Sequence, residues 1–388
     1  MNSTYFSEEH EFFRKSFRDF LQKEVVPHIE KWEKTGTIER FIWEKMGEMG
    51  YFGISYPEKY GGLDLDVFYL VIYLEELQKI NSAGFAAAMW VHPYLAMTHI
   101  RSEGSEEIKQ KYLPPSITGE KMGCLCITEP FGGSDVSGMR TTAVKEGDEY
   151  VINGSKTFIT NGIYSDYLVV SAKTHPELGN KGISMFVMDR ETPGISATKL
   201  DKLGWRASDT AEIAFDNVRI PTSNLLGEEK KGFSYLMEAL ALERLVMAIN
   251  AHARSEWALD YTIGYMKDRM AFGKSLDKFQ ALRHRIAQMA SEVEMCKTFN
   301  YTTAQKLGAN EYVVKEASMA KLVSTKIADE VAYDCLQLLG GYGYVEEYPL
   351  ARNLRDSRLG PIGGGTSEIL REIIAKMIID GKDYKPAT

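Results

Sequence analysis

The chain is poor in cysteine, with four in 388 residues: Cys124, Cys126, Cys296 and Cys335. Only the first two are close, and a single C-x-C with no second cluster is a poor metal site. Few, scattered cysteines in a long chain read as reduced thiols of an intracellular protein, which excludes a disulfide-stapled secreted scaffold. The seven histidines are scattered too, with no pair at ligand spacing, so no metal is expected. Positive charge is in the minority, 46 Lys and Arg against 54 Asp and Glu, for a net charge of -8. That balance excludes a nucleic-acid binder, which needs clustered cations. It leaves room for an anionic small ligand, for which a local basic or backbone site suffices. No stretch approaches the roughly 18 to 20 apolar residues that span a bilayer, so no membrane span is expected. The opening MNSTYFSEEHEFF carries acids early and has no apolar run after a basic start. It does not read as a signal or transit peptide, and a cytoplasmic location of the bacterial type is expected. Internal repeats, low-complexity tracts and linkers are lacking as well.

What is present is an ordinary globular composition, 44% hydrophobic and 26% charged, in a chain long enough for two or three domains. Residues 1–120 read as helical. Phe13, Phe17, Phe20 and Leu21 recur at helical spacing, with Glu8 and Glu9 in the first turn. A break is expected at Pro27, then helices over Phe68 to Lys79 and Phe85 to Ile100. Residues 121–228 change period: Tyr150 to Ile152, Tyr167 to Val170 and Ile183 to Met188 are short β-favouring runs. Asn153-Gly154 and Asn161-Gly162 read as turns, since Asn and Gly tolerate positive φ. Residues 229–388 return to helix, over Phe233 to Lys267, Ala281 to Leu307 and Val313 to Leu339, with Gly340-Gly341 as a terminal cap. The expected fold is α+β: an N-terminal helical domain, a small central β-barrel or sandwich, and a C-terminal four-helix bundle.

Five segments carry chemistry. The first is Cys126-Ile127-Thr128-Glu129-Pro130-Phe131-Gly132-Gly133-Ser134-Asp135-Val136, and the second is Phe158-Ile159-Thr160-Asn161-Gly162. The others are Asp268 to Lys274, Gln337 to Gly343, and Gly364 to Ile369. Consecutive glycines expose N–H groups, and Thr128 and Ser134 add hydroxyls, so the first loop can hold a phosphate or a polar ring edge. An ordinary Gly-rich turn explains it equally well. Phe158 and Thr160 alternate with Ile159 on a strand and point the same way, presenting one ring and one hydroxyl together. Core packing is the plain alternative. Arg269, at the end of a long helix, would by default complement the helix C-terminus. The Glu106 to Lys111 charge run reads as a solvated helix end, and Met237 and Met247 as core.

The ordered set of segments resembles the acyl-CoA dehydrogenase family over most of the chain. The resemblance implies a FAD-dependent oxidation of an acyl-CoA thioester to the trans-2-enoyl-CoA, with electrons passed to an electron-transfer flavoprotein. It implies FAD contacts from Cys126, Ile127, Thr128, Gly133, Ser134, Phe158, Ile159 and Thr160. Phe158 would stack on the flavin and Thr160 would donate near N5. Arg269, Phe272, Gln280, Gln337, Gly340 and Gly341 would reach the FAD of a neighbouring subunit, with Thr366 and Glu368 completing the set. Ser134, Arg244 and Gly364 would meet substrate. The implied assembly is a homotetramer, a dimer of dimers. An acyl-CoA oxidase or flavin monooxygenase on the same fold, or a silent acyl-CoA-binding flavoprotein, stands as the alternative.

One departure decides where the base lies. Most of the family places a catalytic glutamate two residues before the threonine matching Thr366, and here that position is Gly364. Glycine cannot take a proton. The segment Leu242-Glu243-Arg244-Leu245-Val246 resembles the isovaleryl and long-chain branch, which carries its glutamate on this earlier helix. Glu243 is therefore the expected base. Leu236, Leu240 and Met247 share its face, and the remaining faces are also apolar, so burial should raise its pKa toward the working range of a base. A structural ion pair is the plain alternative. The pocket is expected between the helix around Phe85 to Tyr94 and the helix of Glu243, with Met89, Trp90 and Tyr94 lining or closing it.

Overall fold

The structure, a computed structural model, describes residues 5–382 and Tyr384. Residues 1–4 of the N-terminal segment, and 383 and 385–388 at the end of the third region, lie outside the described residues. Helices come first: α1 Glu8–Phe20, α2 Ile29–Thr35, α3 Arg40–Glu48, α4 Val67–Gln78, α5 Ala83–Val91, α6 Met97–Glu103 and α7 Glu106–Ile117. Side-chain caps explain several starts. Ser7 and His10 form a reciprocal capping box on α1, and Asp66, Ser82 and Ser105 accept from first-turn N–H groups of α4, α5 and α7. Pro27 falls at the expected break between α-helices. It sits in a 3-10 turn after a π turn, between α1 and α2, where an early helical position tolerates its missing N–H.

A second proline has more consequence. Pro93 lies in a π turn, His92–Ala96, that joins α5 to α6. Its missing N–H leaves the Met89 carbonyl to accept from the Tyr73 hydroxyl at 3.1 Å. The Ala88 carbonyl accepts instead from the Asn161 side-chain amide at 3.1 Å. That bond ties the helical region to the sheet beside the second motif.

The strands are β1 Gly123–Cys126, β2 Thr142–Glu146, β3 Glu149–Thr160, β4 Tyr167–Lys173, β5 Ile183–Asp189, β6 Ile195–Lys199, β7 Thr210–Pro221 and β8 Leu225–Leu226. They form one eight-stranded sheet in the order β6-β7-β3-β2-β4-β5-β8, with β1 pairing parallel to β4. β7 alternates buried and exposed positions, as a strand with one wet face does. β4 and β5 are buried on both faces. Leu168, Val170, Phe186 and Met188 face the sheet's own core, while Tyr167, Val169, Met185 and Val187 pack with Met97 and Ile100 of α6 and Tyr112 and Leu113 of α7. Asn153-Gly154 is not a turn but lies inside β3, at a bulge opposite β7 where Gly154 takes φ 145°. The hairpin turns one step earlier, between β2 and β3, where Gly147 has φ 62°.

The chain then enters α8 Gly232–Asp268, the short hairpin β9 Met270–Ala271 and β10 Lys274–Ser275, α9 Gln280–Gly308, α10 Val314–Leu339, α11 Pro349–Ser357 and α12 Ser367–Ile378. α8, α9 and α10 pack on one another, α11 and α12 lie against α10, and α4 lies against α8 and α9. Gly340, at φ 60°, ends α10 as the sequence led one to expect. At the junction of α1, α4, α8 and α9, the buried Glu75 carboxylate pairs with Arg14 at 2.6 Å and His252 at 3.2 Å and accepts from the Tyr301 hydroxyl. Burial pushes its pKa up, but these partners outweigh it and hold the carboxyl at about 2.

Candidate functional site

The first motif leaves β1 and is held by a buried ion pair that the sequence reading left without a role. Glu129 pairs with Lys156 of β3 at 2.8 Å, both nearly or wholly buried. Its carboxylate also accepts from the N–H groups of Arg140 at 2.6 Å and Thr141 at 3.0 Å. Lys156 donates to the Ile127 carbonyl at 3.0 Å. Burial raises the Glu129 pKa, but Lys156 and the two N–H groups pull it below the usual carboxylate range. The effect is mechanical. The start and end of the loop are fixed to β3, and Gly133 and Ser134 stand exposed between them. Thr128 sits beside them, and its carbonyl accepts from Thr157 N–H at 2.8 Å.

The second motif begins at that bond. β3 is irregular between Lys156 and Ile159, and Phe158 takes φ 60°, a conformation uncommon for a bulky residue. Its ring is 69% exposed, while Ile159 is buried. Thr160, two residues on, is half-buried. A strained backbone that holds an aromatic ring out of the fold is the kind of feature that marks a ligand site. Asn161 follows at φ 64°, and its Oδ1 is buried with no hydrogen-bond partner among the described residues.

Glu243 stands on α8, half-buried, two turns after Leu236 and one turn before Met247. Among the described residues its carboxylate makes no hydrogen bond and no ion pair, so the structural-pair alternative finds no support. Burial raises its pKa, and the nearby charges of Arg244 and Lys321 only partly offset this. Arg244 points away, buried, with Nη1 donating to Ser318 Oγ at 3.3 Å. Its Nε has no partner among the described residues. Across from Glu243 runs the turn Gly363 to Thr366. Gly364 has φ 62° and Gly365 has φ 90°. A Cβ added at Gly364 would lie 3.4 Å from Met247 Cγ and 3.8 Å from Glu243 Oε1. Thr366 caps α12, accepting from Ile369 N–H at 3.4 Å, and Glu368 is exposed beside Arg371. Lys321 of α10 donates to the Gly365 carbonyl at 2.6 Å. The sequence reading missed it, although a lone lysine among Ala317, Ser324, Thr325 and Ala328 at helical spacing was a visible signal.

Of the pocket residues named from sequence, Met89 and Tyr94 are core. Trp90 is buried too and, with Met247, Asn250 and Trp205, lines a cavity of about 30 Å³. A third group assembles at the other end of α8. Arg269, Gln337, Gly340 and Gly341 line one open cleft of about 620 Å³, with the Arg269 guanidinium 5.5 Å from the Tyr342 ring centre. Phe272 caps the β9-β10 hairpin, 95% exposed at φ 50°, and Gln280 opens α9. The unbroken helix from Glu243 to Asp268 puts this cleft about 38 Å from Glu243. The first-loop and second-motif residues adjoin one another, as Glu243 and Gly364 do, and the Arg269 group stands apart. Among the described residues no cluster suited to a metal occurs, and no helix is long and apolar enough to cross a membrane.

Comparison with known proteins gives matches along nearly the whole chain. Family models described as acyl-CoA dehydrogenase N-terminal, middle and C-terminal domains match residues 7–120, 124–218 and 230–379. The mitochondrial long-chain specific acyl-CoA dehydrogenase of Sus scrofa is 42% identical over 380 residues, 97% of this chain and 88% of that protein. The crystal structure of acyl-CoA dehydrogenase from Geobacillus kaustophilus superposes with a TM-score of 0.94 at 45% identity, covering 97% of this chain and all of that one. A glutaryl-CoA dehydrogenase from Mycobacterium smegmatis in complex with FADH2 superposes with a TM-score of 0.91 at 30% identity, over 97% of this chain and 96% of that one.

Proposed function

The chain belongs to the acyl-CoA dehydrogenase family of oxidoreductases, and from that premise we propose that it oxidises an acyl-CoA to the trans-2-enoyl-CoA with Glu243 as the base and FAD as the acceptor. The observation that carries the reading is the Glu243 carboxylate, unpaired among the described residues and raised in pKa, facing a turn where glycine replaces the family's usual glutamate.

The residues present fit a flavin. Phe158 is held out of the fold by a strained backbone, the half-buried Thr160 follows two residues on, and the exposed Gly133 and Ser134 sit on a loop fixed from below. Phe158 and Thr160 would hold the ring, with Cys126, Ile127, Thr128 and Ile159 as its floor. Arg269, Phe272, Gln280, Gln337, Gly340 and Gly341 would hold the pyrophosphate and adenosine of a neighbouring subunit's FAD. The distance of this group from Glu243 supports sharing between subunits, in a homotetramer built as a dimer of dimers of the kind the family resemblance implies. FAD, when bound, supplies the two-electron acceptor for the β-hydride.

The protein's own part is proton and charge control. The acyl-CoA lies with its α-carbon beside Glu243. A carboxylate oxygen takes the α-proton, and the bonding electrons pass toward the thioester oxygen. The backbone N–H of Gly364 stabilises that oxygen, a role that needs no side chain. Ser134 and Arg244 would meet the substrate, and Thr366 and Glu368 the cofactor. An electron-transfer flavoprotein in the cytoplasm is the proposed acceptor of the electrons. The test is anaerobic mixing of the yellow holoprotein with straight and branched acyl-CoAs. Bleaching of the flavin supports the reading. A protein that takes up no FAD, or a flavin that no acyl-CoA bleaches, rejects it.

A further inference from the structure

Lys321 has no part in the reading above, yet its position is costly. Its side chain is wholly buried on α10, among small residues. Burial pushes its ammonium down to about 8, Arg244 of α8 pushes the same way, and Glu243 of α8 and Glu368 of α12 oppose. An apolar side chain would fill such a site without the desolvation cost. The hydrogen bond Lys321 makes is to the Gly365 carbonyl, at 2.6 Å.

That bond falls where the backbone most needs it. Gly364 and Gly365 both have positive φ, and glycine populates other conformations as readily. The ends of the turn are held by Ser367 N–H on the Pro361 carbonyl at 3.0 Å and by the Thr366 cap. Lys321 holds the middle. The same turn places Gly364 opposite Glu243, so a shift of the 364–365 backbone would move the N–H offered to the thioester relative to the carboxylate.

We infer that Lys321 is a positioning residue, which pins the Gly363–Thr366 turn so that the Gly364 N–H and the Glu243 carboxylate address one substrate together. The inference rests on the function proposed above. Lys321 touches no reacting atom and acts through the turn, and its positive charge also helps keep Glu243 ionised.

The test compares K321M, K321Q and wild-type holoprotein, each with FAD content and melting temperature checked. The probes are butyryl-, isovaleryl-, octanoyl- and palmitoyl-CoA, with flavin reduction followed anaerobically against pH. In K321M the reduction rate at saturating acyl-CoA is expected to fall by about 10- to 100-fold while acyl-CoA affinity changes by less than about 3-fold. Its acid limb should move to higher pH, because a cation that lowers the Glu243 pKa is gone. K321Q, which can still donate to Gly365, should recover part of the rate but not the limb. Hydrogen exchange of the 363–366 amides should quicken in K321M and less so in K321Q. Unchanged exchange, or a K321M rate within about 2-fold of wild type, overturns the inference while leaving the proposed function intact. A wild-type flavin that no probe bleaches removes both.

Discussion

The Glu243 carboxylate oxygen lies 3.8 Å from the point where a Cβ on Gly364 would stand. A carboxylate reached from α8 and a carboxylate reached from the turn before α12 would therefore occupy one region of space from two sides. The absence of a side chain at 364 and a glutamate on α8 with no ion pair among the described residues fall at one place in the structure. Gly364 also leaves room: its added Cβ would meet Met247 at 3.4 Å, an ordinary contact.

Glu243→Gln keeps the size and removes the base. Flavin reduction by acyl-CoA should fall by about 10²- to 10⁴-fold with FAD content unchanged. Near-normal reduction in this variant would reject Glu243 as the base. The paired change E243G with G364E should recover about 10-fold over E243G alone, yet stay below wild type. A glutamate at φ 62° carries about 1 to 2 kcal/mol of backbone strain that glycine does not.

The pH dependence follows from burial. A base acts only when ionised, and burial raises the Glu243 pKa above the ordinary value of 4.5. Activity should be full well above the raised value and fall as pH drops through it, so the acid limb lies above 4.5. The sign for stability is opposite. A carboxyl whose folded pKa is raised holds its proton more tightly when folded, so its ionisation destabilises the fold as pH rises through this window. Glu243→Gln should therefore melt at a higher temperature than wild type at pH 7. Calorimetry of the two holoproteins decides, and an equal or lower melting point for the variant counts against the assignment.

Glu129 and Lys156 form a pair whose loss should be asymmetric. Removing one partner strands a buried charge and costs about 3 to 5 kcal/mol, whereas replacing both by apolar residues costs less. E129Q and K156M should each lower the denaturation midpoint and loosen FAD, through the loop that Glu129 fastens at Arg140 and Thr141. The double variant E129L with K156M should be more stable than K156M alone. A double variant less stable than either single one would contradict this account.

Much of the fold was legible because periodicity is a local property. The long helices, the cap at Gly340 and the short strands follow from spacing and from residues with strong backbone preferences. Asn153-Gly154 misled because the same pair that makes a tight turn also suits a bulge, and only pairing with β7 decides between them. Within the site, Glu243 follows from the family resemblance, redirected to α8 by Gly364; its apolar surroundings alone suit a structural ion pair as well. Glu129, Lys156 and Lys321 were not legible, because a buried charge is defined by a partner far along the chain: 27 residues separate the first two, and 44 separate Lys321 from Gly365.

The group around Arg269 makes a prediction about assembly. Arg269, Gln337, Gly340 and Gly341 line one cleft, yet α8 sets that cleft about 38 Å from Glu243. An extended dinucleotide whose ring lies beside Glu243 cannot reach it within one subunit. Phe272 is 95% exposed on its hairpin, with only an edge contact to the Phe279 ring at 6.2 Å between centroids. If a neighbour's FAD lies against both, Arg269→Ala removes a charge-assisted hydrogen bond worth about 1.5 to 3 kcal/mol, which loosens FAD by about 10- to 150-fold. F272A should weaken FAD retention and the subunit interface together. Both variants should leave the dependence of residual flavin reduction on pH unchanged, because neither touches Glu243. Sedimentation and FAD titration decide, since a wild-type protein that is monomeric in solution and still holds one FAD per chain would leave the Arg269 cleft without a part in the site.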